Sequence, residues 1–375
     1  MQFPNYTNSS FNTINSILHY YGVKNNYESL KTLDQLLNIK KYKKVVLLIM
    51  DGFGNNIVNK YLKNEFLERN NYGPISSVFP STTTAAMNTY YSGKTPLEHA
   101  WLGWSNYFKE CSRTINLFPK TDKYTHEKIE FDFESLIKFE SIFDQIKKVN
   151  DIQQVVIYPK YLKNDYPVKN LKYKKLKGMV KHIKKQIKGK KEKFIFAYSP
   201  EPDHTEHMFG PSNKKVENLL NSFNKLMKKN FSKLNDDTLI IISADHGLID
   251  IKNTIYLEDH PALLETLITL PTIEPRAASF FVKKHRKLEF ESLFNDIFKD
   301  NYVLFTRDEV LRHHLFGYGN MHPKADDFLG DYLAVATKNT IFDYKRDKSN
   351  FTFKGHHAGM SPDEMNIPLI ILKKD

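Results

Sequence analysis

The sequence predicts an α/β fold: a doubly wound, mainly parallel sheet with helices on both faces and a smaller inserted cap. Three observations predict it. Strand-like apolar runs alternate with segments of helical periodicity up to Ser243. The longest run, KVVLLIM, is apolar at successive positions, the pattern of a strand covered on both faces. No Gly/Ser-rich or Pro-rich linker and no repeat period divides the chain.

The elements follow in order. Residues 11–40 read as helical, so 1–44 is expected to be an N-terminal helical extension. Residues 44–50 (KVVLLIM) suit a central parallel strand, and Asp51-Gly52 follows directly. Helix is expected over 55–69, 84–91, 140–148 and 213–229, and strand over 76–79, 154–158, 194–198 and 238–243. The pattern becomes irregular over 256–328, with a short strand-like piece at 277–282 and a helix near 290–298, and this segment is expected to be the cap. Strand character returns over 329–337 and 367–372, which gives a main domain of 45–255 and 329–375.

Composition narrows the class. With 375 residues, 41% hydrophobic and 13% aromatic, the chain can bury one large core or two moderate ones, which excludes a disordered or fibrous protein. The single cysteine, Cys111, excludes an internal disulfide framework, and the start MQFPNYTNSS lacks a basic head followed by an apolar run. A cytoplasmic location is therefore expected. The longest nearly all-apolar stretch, 45–50, is far too short for a membrane span.

The formal charge is +12, from 55 basic and 43 acidic residues, but the excess is local. Between Lys169 and Lys193 there are twelve lysines and one acid, Glu192. Leu176, Met179, Val180, Ile183 and Ile187 recur there at helical spacing, so the lysines are expected on the outward face of an amphipathic helix. This locality weighs against a nucleic-acid partner. It leaves a solvated face or an anion-attracting one as readings of the helix.

Candidate chemistry concentrates just past the strand ends, where open α/β sheets bind ligands. Asp51 follows VVLLIM, Asp203 follows FIFAYS by a few residues, and Asp245-His246 follows LIIIS. Asp203 and His207 are four apart in PEPDHTEHMFGP, a spacing that puts both on one side of a helical turn. His356 and His357 lie between glycines in KGHHAGMSPDEM. Three aspartates and three histidines make the mixed oxygen and nitrogen set that zinc accepts, with manganese as a substitute. Ser81, Thr82, Thr83 and Thr84 form a hydroxyl-rich turn between a strand and a helix. They can cap the helix, present a nucleophile to an anion, or do both.

The ordered set DGFG (51–54), FPSTT followed by SGKTPLEHAW, EPDHTEH, SADHG and GHHAG resembles the alkaline phosphatase superfamily. Within it, the set resembles the type I phosphodiesterase/nucleotide pyrophosphatase family, over about 45–372. The resemblance implies an alkaline-phosphatase-like fold and two divalent metal ions, zinc or manganese. It gives one ion Asp203, His207 and His357, and the other Asp51, Asp245, His246 and the nucleophile, which falls on Thr83, three residues after Pro80. His357 rather than His356 matches the family's spacing after glycine, although Ala358 replaces the glycine that follows.

Two features of the related nucleotide pyrophosphatases are missing. Trp104 stands where they place a phosphate-binding asparagine, and Thr84 where an aromatic follows the nucleophile. Asn106 is near enough to replace the first. Trp101, Trp104 and Tyr107 either stack a base or pack the loop down.

The implied reaction is hydrolysis of a phosphodiester or pyrophosphate bond in a small, nucleotide-like substrate, through a phosphothreonine. The alternatives are a phosphomonoesterase of the same superfamily and a basic anion- or nucleic-acid-binding protein on a hydrolase fold.

Overall fold

Buried apolar strands build the frame that positions the site. In a computed structural model describing residues 1–163, 166–346 and 352–374, Lys44–Met50 is buried along its whole length. It pairs in parallel with Lys193–Ser199 on one side and Thr238–Ser243 on the other. Gln153–Pro159 and then Lys169–Tyr173 extend the sheet beyond Lys193–Ser199, again in parallel. On the opposite flank Asn366–Leu372 runs antiparallel between Thr238–Ser243 and Asn71–Ser76. The result is one seven-stranded, mainly parallel sheet. Its core is continuous with the N-terminal helices Ser10–Tyr20 and Lys31–Ile39, through Ile14, Ile17, Leu18, Leu33 and Leu37. The first 44 residues are thus packed into the main core and are no appendage.

A second seven-stranded sheet forms the smaller layer, and all its pairings are antiparallel. Its strand order is Tyr302–Thr306, Tyr332–Ala336, Ala277–Val282, Leu267–Glu274, Ser105–Phe108, Arg113–Asn116 and Thr121–Asp122. This layer draws on more of the chain than 256–328. Tyr332–Ala336 joins it instead of the main sheet, because YLAVA is apolar on both faces and finds its partners in Ala277–Val282 and Tyr302–Thr306. The short strands from 105 to 122 carry no long apolar run and are held by their pairing and by the buried side chains of Phe108 and Ile115.

Three further elements differ from the sequence reading. The strand expected over 76–79 lies at Asn71–Ser76, which frees 77–82 as a loop. The helix expected over 55–69 breaks into Asn55–Tyr61 and Phe66–Arg69, with Asn64 in the left-handed region between them. The lysine-rich stretch starts as the edge strand Lys169–Tyr173, in which Leu171 and Tyr173 alternate with polar residues, and becomes helical only at Leu176–Gln186. In that helix Met179, Val180 and Ile183 face the core, as the spacing predicts.

Candidate active site and metal centre

The carboxyl ends of the two central strands meet the start of one helix. Asp51 ends the strand Lys44–Met50, Asp245 and His246 follow Thr238–Ser243, and Thr83 opens the helix Thr83–Ser92. Gly52 makes the convergence possible. Its φ of 72° lies in the left-handed region, and a Cβ there would sit 2.8 Å from the Asp203 Cα. The amide of Asp203 can therefore donate to the Asp51 carbonyl at 2.9 Å, which ties the short helix Asp203–Phe209 to the strand end.

Two groups of ligand-type atoms result, each within 4.8 Å internally: Asp51, Asp245 and His246, and Asp203, His207 and His357. The rings of His246 and His357 stack at 3.9 Å and join the groups. The Thr83 hydroxyl lies 3.1 Å from His246 Nε2 and 3.5 Å from Asp51 Oδ1. Residues dispersed from 51 to 357 are thus brought together around one hydroxyl.

The three histidines share one arrangement. His207 Nδ1 lies 2.9 Å from the Gly355 carbonyl, His246 Nδ1 3.2 Å from the Gly247 carbonyl and His357 Nδ1 3.2 Å from the Ser81 carbonyl. A carbonyl only accepts, so each Nδ1 carries a proton, and in the neutral imidazole each Nε2 presents a lone pair. Those lone pairs face carboxylate oxygens: His207 Nε2 lies 3.2 Å from Asp203 Oδ1, and His246 Nε2 3.4 Å from Asp245 Oδ2. Both oxygens are fully enclosed and, among the described residues, accept no hydrogen bond. Lone pairs opposed at this distance repel unless a cation lies between them, and donors with Nδ1 anchored in this way are typical of metal-ligating histidine. The donor set therefore fits divalent metal.

Electrostatics points the same way. Burial, then the charges of Asp245 and Asp203, push the Asp51 carboxyl well above the usual range, while the Tyr198 hydroxyl donates to it. Burial likewise raises Asp245. Burial also pushes Asp203 up, but positive charge on His207, His246 and His356 would together outweigh it and hold the group low, as a bound cation would. Burial, then His246 and His207, keep the His357 imidazole far below its ordinary value, hence neutral and able to ligate. His356 is different, because its Nδ1 accepts from the His357 amide at 3.0 Å and it belongs to neither group.

The expected substrate residues lie outside these groups. Trp104 is half-exposed, with its ring edge-on to Phe118. Asn106 is buried with both amide atoms unpartnered, and among the described residues no hydrogen bond links it to Thr83 or to either group. Trp101 donates its indole N–H to the Ile137 carbonyl, and Tyr107 packs on Phe281, so these two rings secure the loop.

The sequence reading missed Glu274 and Arg276. Glu274 Oε1 accepts from the Thr82 hydroxyl at 2.7 Å and from the Trp104 amide at 2.8 Å, which binds the Thr83 turn to the second sheet. Burial raises its carboxyl, and these hydrogen bonds pull it back. Arg276, also buried, makes a two-pronged pair with Glu364 at 2.7 and 2.9 Å, and Glu364 accepts from the Gly359 amide. One turn of the second sheet thus grips both the Thr83 turn and the His357 loop. The signal available was a Glu and an Arg two apart within the otherwise apolar LPTIEPRAASFFV.

Comparison with known proteins follows these contacts. The chain matches the family model of type I phosphodiesterase/nucleotide pyrophosphatase over residues 45–360. No curated protein sequence matches. Among solved structures, human ectonucleotide pyrophosphatase/phosphodiesterase 5 is similar at 17% identity and a TM-score of 0.65, over 87% of each chain. The murine protein, an inactive threonine-to-alanine variant in complex with AMP, is similar at 17% identity and a TM-score of 0.62, over 88% of this chain and 87% of that one. These likenesses show the fold. The match of the family model over most of the chain shows more: the protein belongs to the type I phosphodiesterase/nucleotide pyrophosphatase family of hydrolases, within the alkaline phosphatase superfamily.

Proposed function

We propose that the protein hydrolyses a phosphodiester or pyrophosphate bond of a small nucleotide-like substrate, with Thr83 as nucleophile. One observation carries this reading: three imidazoles with anchored Nδ1 protons turn their Nε2 atoms toward unpartnered carboxylate oxygens beside a threonine hydroxyl. Asp51, Asp245 and His246 would hold one divalent ion, and Asp203, His207 and His357 a second, zinc or manganese. Bound there, such ions neutralise phosphoryl charge and lower the pKa of a neighbouring hydroxyl.

The chain's own groups do the rest. Thr83 sits in the first turn of its helix, where backbone N–H groups and the helix dipole favour an anionic phosphoryl group. Its oxygen attacks phosphorus in line, and the bond to the leaving oxygen breaks. The resulting phosphothreonine is hydrolysed when water attacks the same phosphorus and the Thr83 hydroxyl is restored. Glu274 fixes the turn through Thr82, so the hydroxyl is placed before substrate arrives. Trp104, whose ring is half-exposed, is assigned to the substrate side of the site, whereas the Asn106 amide is fully enclosed. AMP bound to the murine relative supports a nucleotide-like substrate.

The test compares bis-p-nitrophenyl phosphate with p-nitrophenyl phosphate, with and without chelator, and uses mass spectrometry to look for phosphate on Thr83 after rapid quenching. The diester is expected to turn over faster, only with metal, and with Thr83 transiently phosphorylated. Turnover that survives Thr83→Ala, or a label on another residue, would refute the assignment.

A further inference from the structure

The lysine-rich stretch has a feature that the phosphoester chemistry does not use. A cavity of about 450 Å³ opens between the helix Leu176–Gln186 and the helix Lys214–Phe231, in the size range of small-molecule sites. Leu219, Phe223 and Leu226 form its apolar wall, and Lys174, Lys175 and Lys177 line it on the other side.

These three ammonium groups stand apart from others in the stretch. Lys172 donates to the Leu162 carbonyl, Lys184 to Asn230 and Lys193 to Gln186, whereas among the described residues the ammonium groups of Lys174, Lys175 and Lys177 make no hydrogen bond or ion pair. The acid that lines the cavity, Glu201, is engaged elsewhere, since its carboxylate accepts from both the amide and the hydroxyl of Thr205. Three unpaired like charges beside an apolar wall repel one another, and an anion among them relieves that repulsion while its apolar body covers the wall.

We infer that this cavity binds a small amphipathic anion, a carboxylate or phosphate carried on an aromatic or other apolar body. The charged group meets Lys174, Lys175 and Lys177, and the body lies against Leu219, Phe223 and Leu226. The wall also contains Ser199, Pro200 and Glu201, the segment that leads into Asp203, so an occupant touches the chain next to one group of metal-ligand residues. The occupant is either the distal end of the substrate or a separate molecule, and the recognising chemistry is the same for both. This inference stands independently of the Thr83 mechanism, because binding is read directly.

The experiment is calorimetric titration of the full-length protein with 2-naphthoate at low salt, alongside neutral 2-naphthylmethanol. Naphthoate is expected to bind, and the alcohol to bind at least about tenfold more weakly. Replacing Lys174, Lys175 and Lys177 together by Gln should weaken naphthoate at least about tenfold, while the charge-matched replacement of Lys184, Lys185 and Lys188 should not. Leu226→Trp, which fills the cavity and leaves the lysines in place, should also abolish binding. All six lysines are exposed, so both triple variants should keep the fold, as circular dichroism can check.

The inference is overturned if naphthoate does not bind, if both triple variants lose it equally, or if binding is lost with chelator or in Asp203→Asn. Competition between naphthoate and a diester substrate identifies the occupant as the substrate's distal end. Binding without competition identifies a separate ligand.

Discussion

The two groups of candidate metal-ligand residues differ in how they are held. Asp51, Asp245 and His246 have side chains 0–4% exposed and come from the rigid ends of two adjacent central strands. Asp203, His207 and His357 are 8–16% exposed and come from a seven-residue helix and a late loop. The inner group therefore concentrates carboxylate charge where water cannot screen it, and the outer group forms the rim. The contrast teaches that a cation at the inner position matters to folding as well as to chemistry, whereas the rim matters mainly to turnover.

The largest expected effect lies at the hydroxyl between the two groups. Thr83→Ala should lower kcat by about a thousandfold or more, with the melting temperature little changed, because it removes the proposed nucleophile and only a small contact. Steady-state kinetics and a thermal melt measure both. Normal stability with residual turnover of the wild-type size would break the comparison at its centre.

Next come the groups themselves. Asp245→Ala should lower the melting temperature by several degrees and remove most of its response to EDTA, while His207→Ala should stay within about 2 °C of wild type yet lose turnover. Melting curves with and without chelator separate the cases. Equal destabilisation by both variants would show that inner and outer positions do not differ as argued.

A smaller effect is expected at Glu274, which acts on the hydroxyl through Thr82. Glu274→Gln keeps an acceptor and should lower kcat by about threefold, whereas Glu274→Ala frees both donors and should lower it by about thirtyfold, with KM less affected. A loss confined to stability, with kcat intact, would make Glu274 a packing residue only.

The smallest effect sharpens the rule about histidine orientation. His99 Nδ1 accepts from the Trp101 amide at 3.0 Å and its Nε2 lies 3.1 Å from the Thr89 hydroxyl, so neither nitrogen is free to ligate. Burial pushes this imidazole down to about 3. Its folded pKa lies below the unfolded value, so its contribution is fully present above about pH 6.5 and is lost as the pH falls below that. His99→Gln should remove about 1.4 kcal/mol per pH unit from the acid-side slope of unfolding free energy, independently of chelator. An unchanged slope in urea titrations would mean that His99 is already charged in the fold.

Much of the site was legible because its residues sit at the ends of runs that announce themselves. Lys44–Met50 and Thr238–Ser243 are apolar at successive positions, and a charged residue directly after such a run has few structural reasons to be there. The order of the motifs then gave the family, and all seven expected residues from Asp51 to His357 converge. Glu274 and Arg276 escaped because they act across more than 80 residues, on partners that no local period relates to them.

The sequence by itself determined the five inner strands of the main sheet, the candidate site residues at their ends and the family, since buried strands and the residues that follow them are local patterns. The tertiary structure alone decided the membership of the second sheet, the carbonyl that anchors each imidazole and the grip of Glu274 on Thr82. Those depend on which short strands pair and which carbonyl each Nδ1 meets, and pairing energies arise only between segments already brought together by the fold.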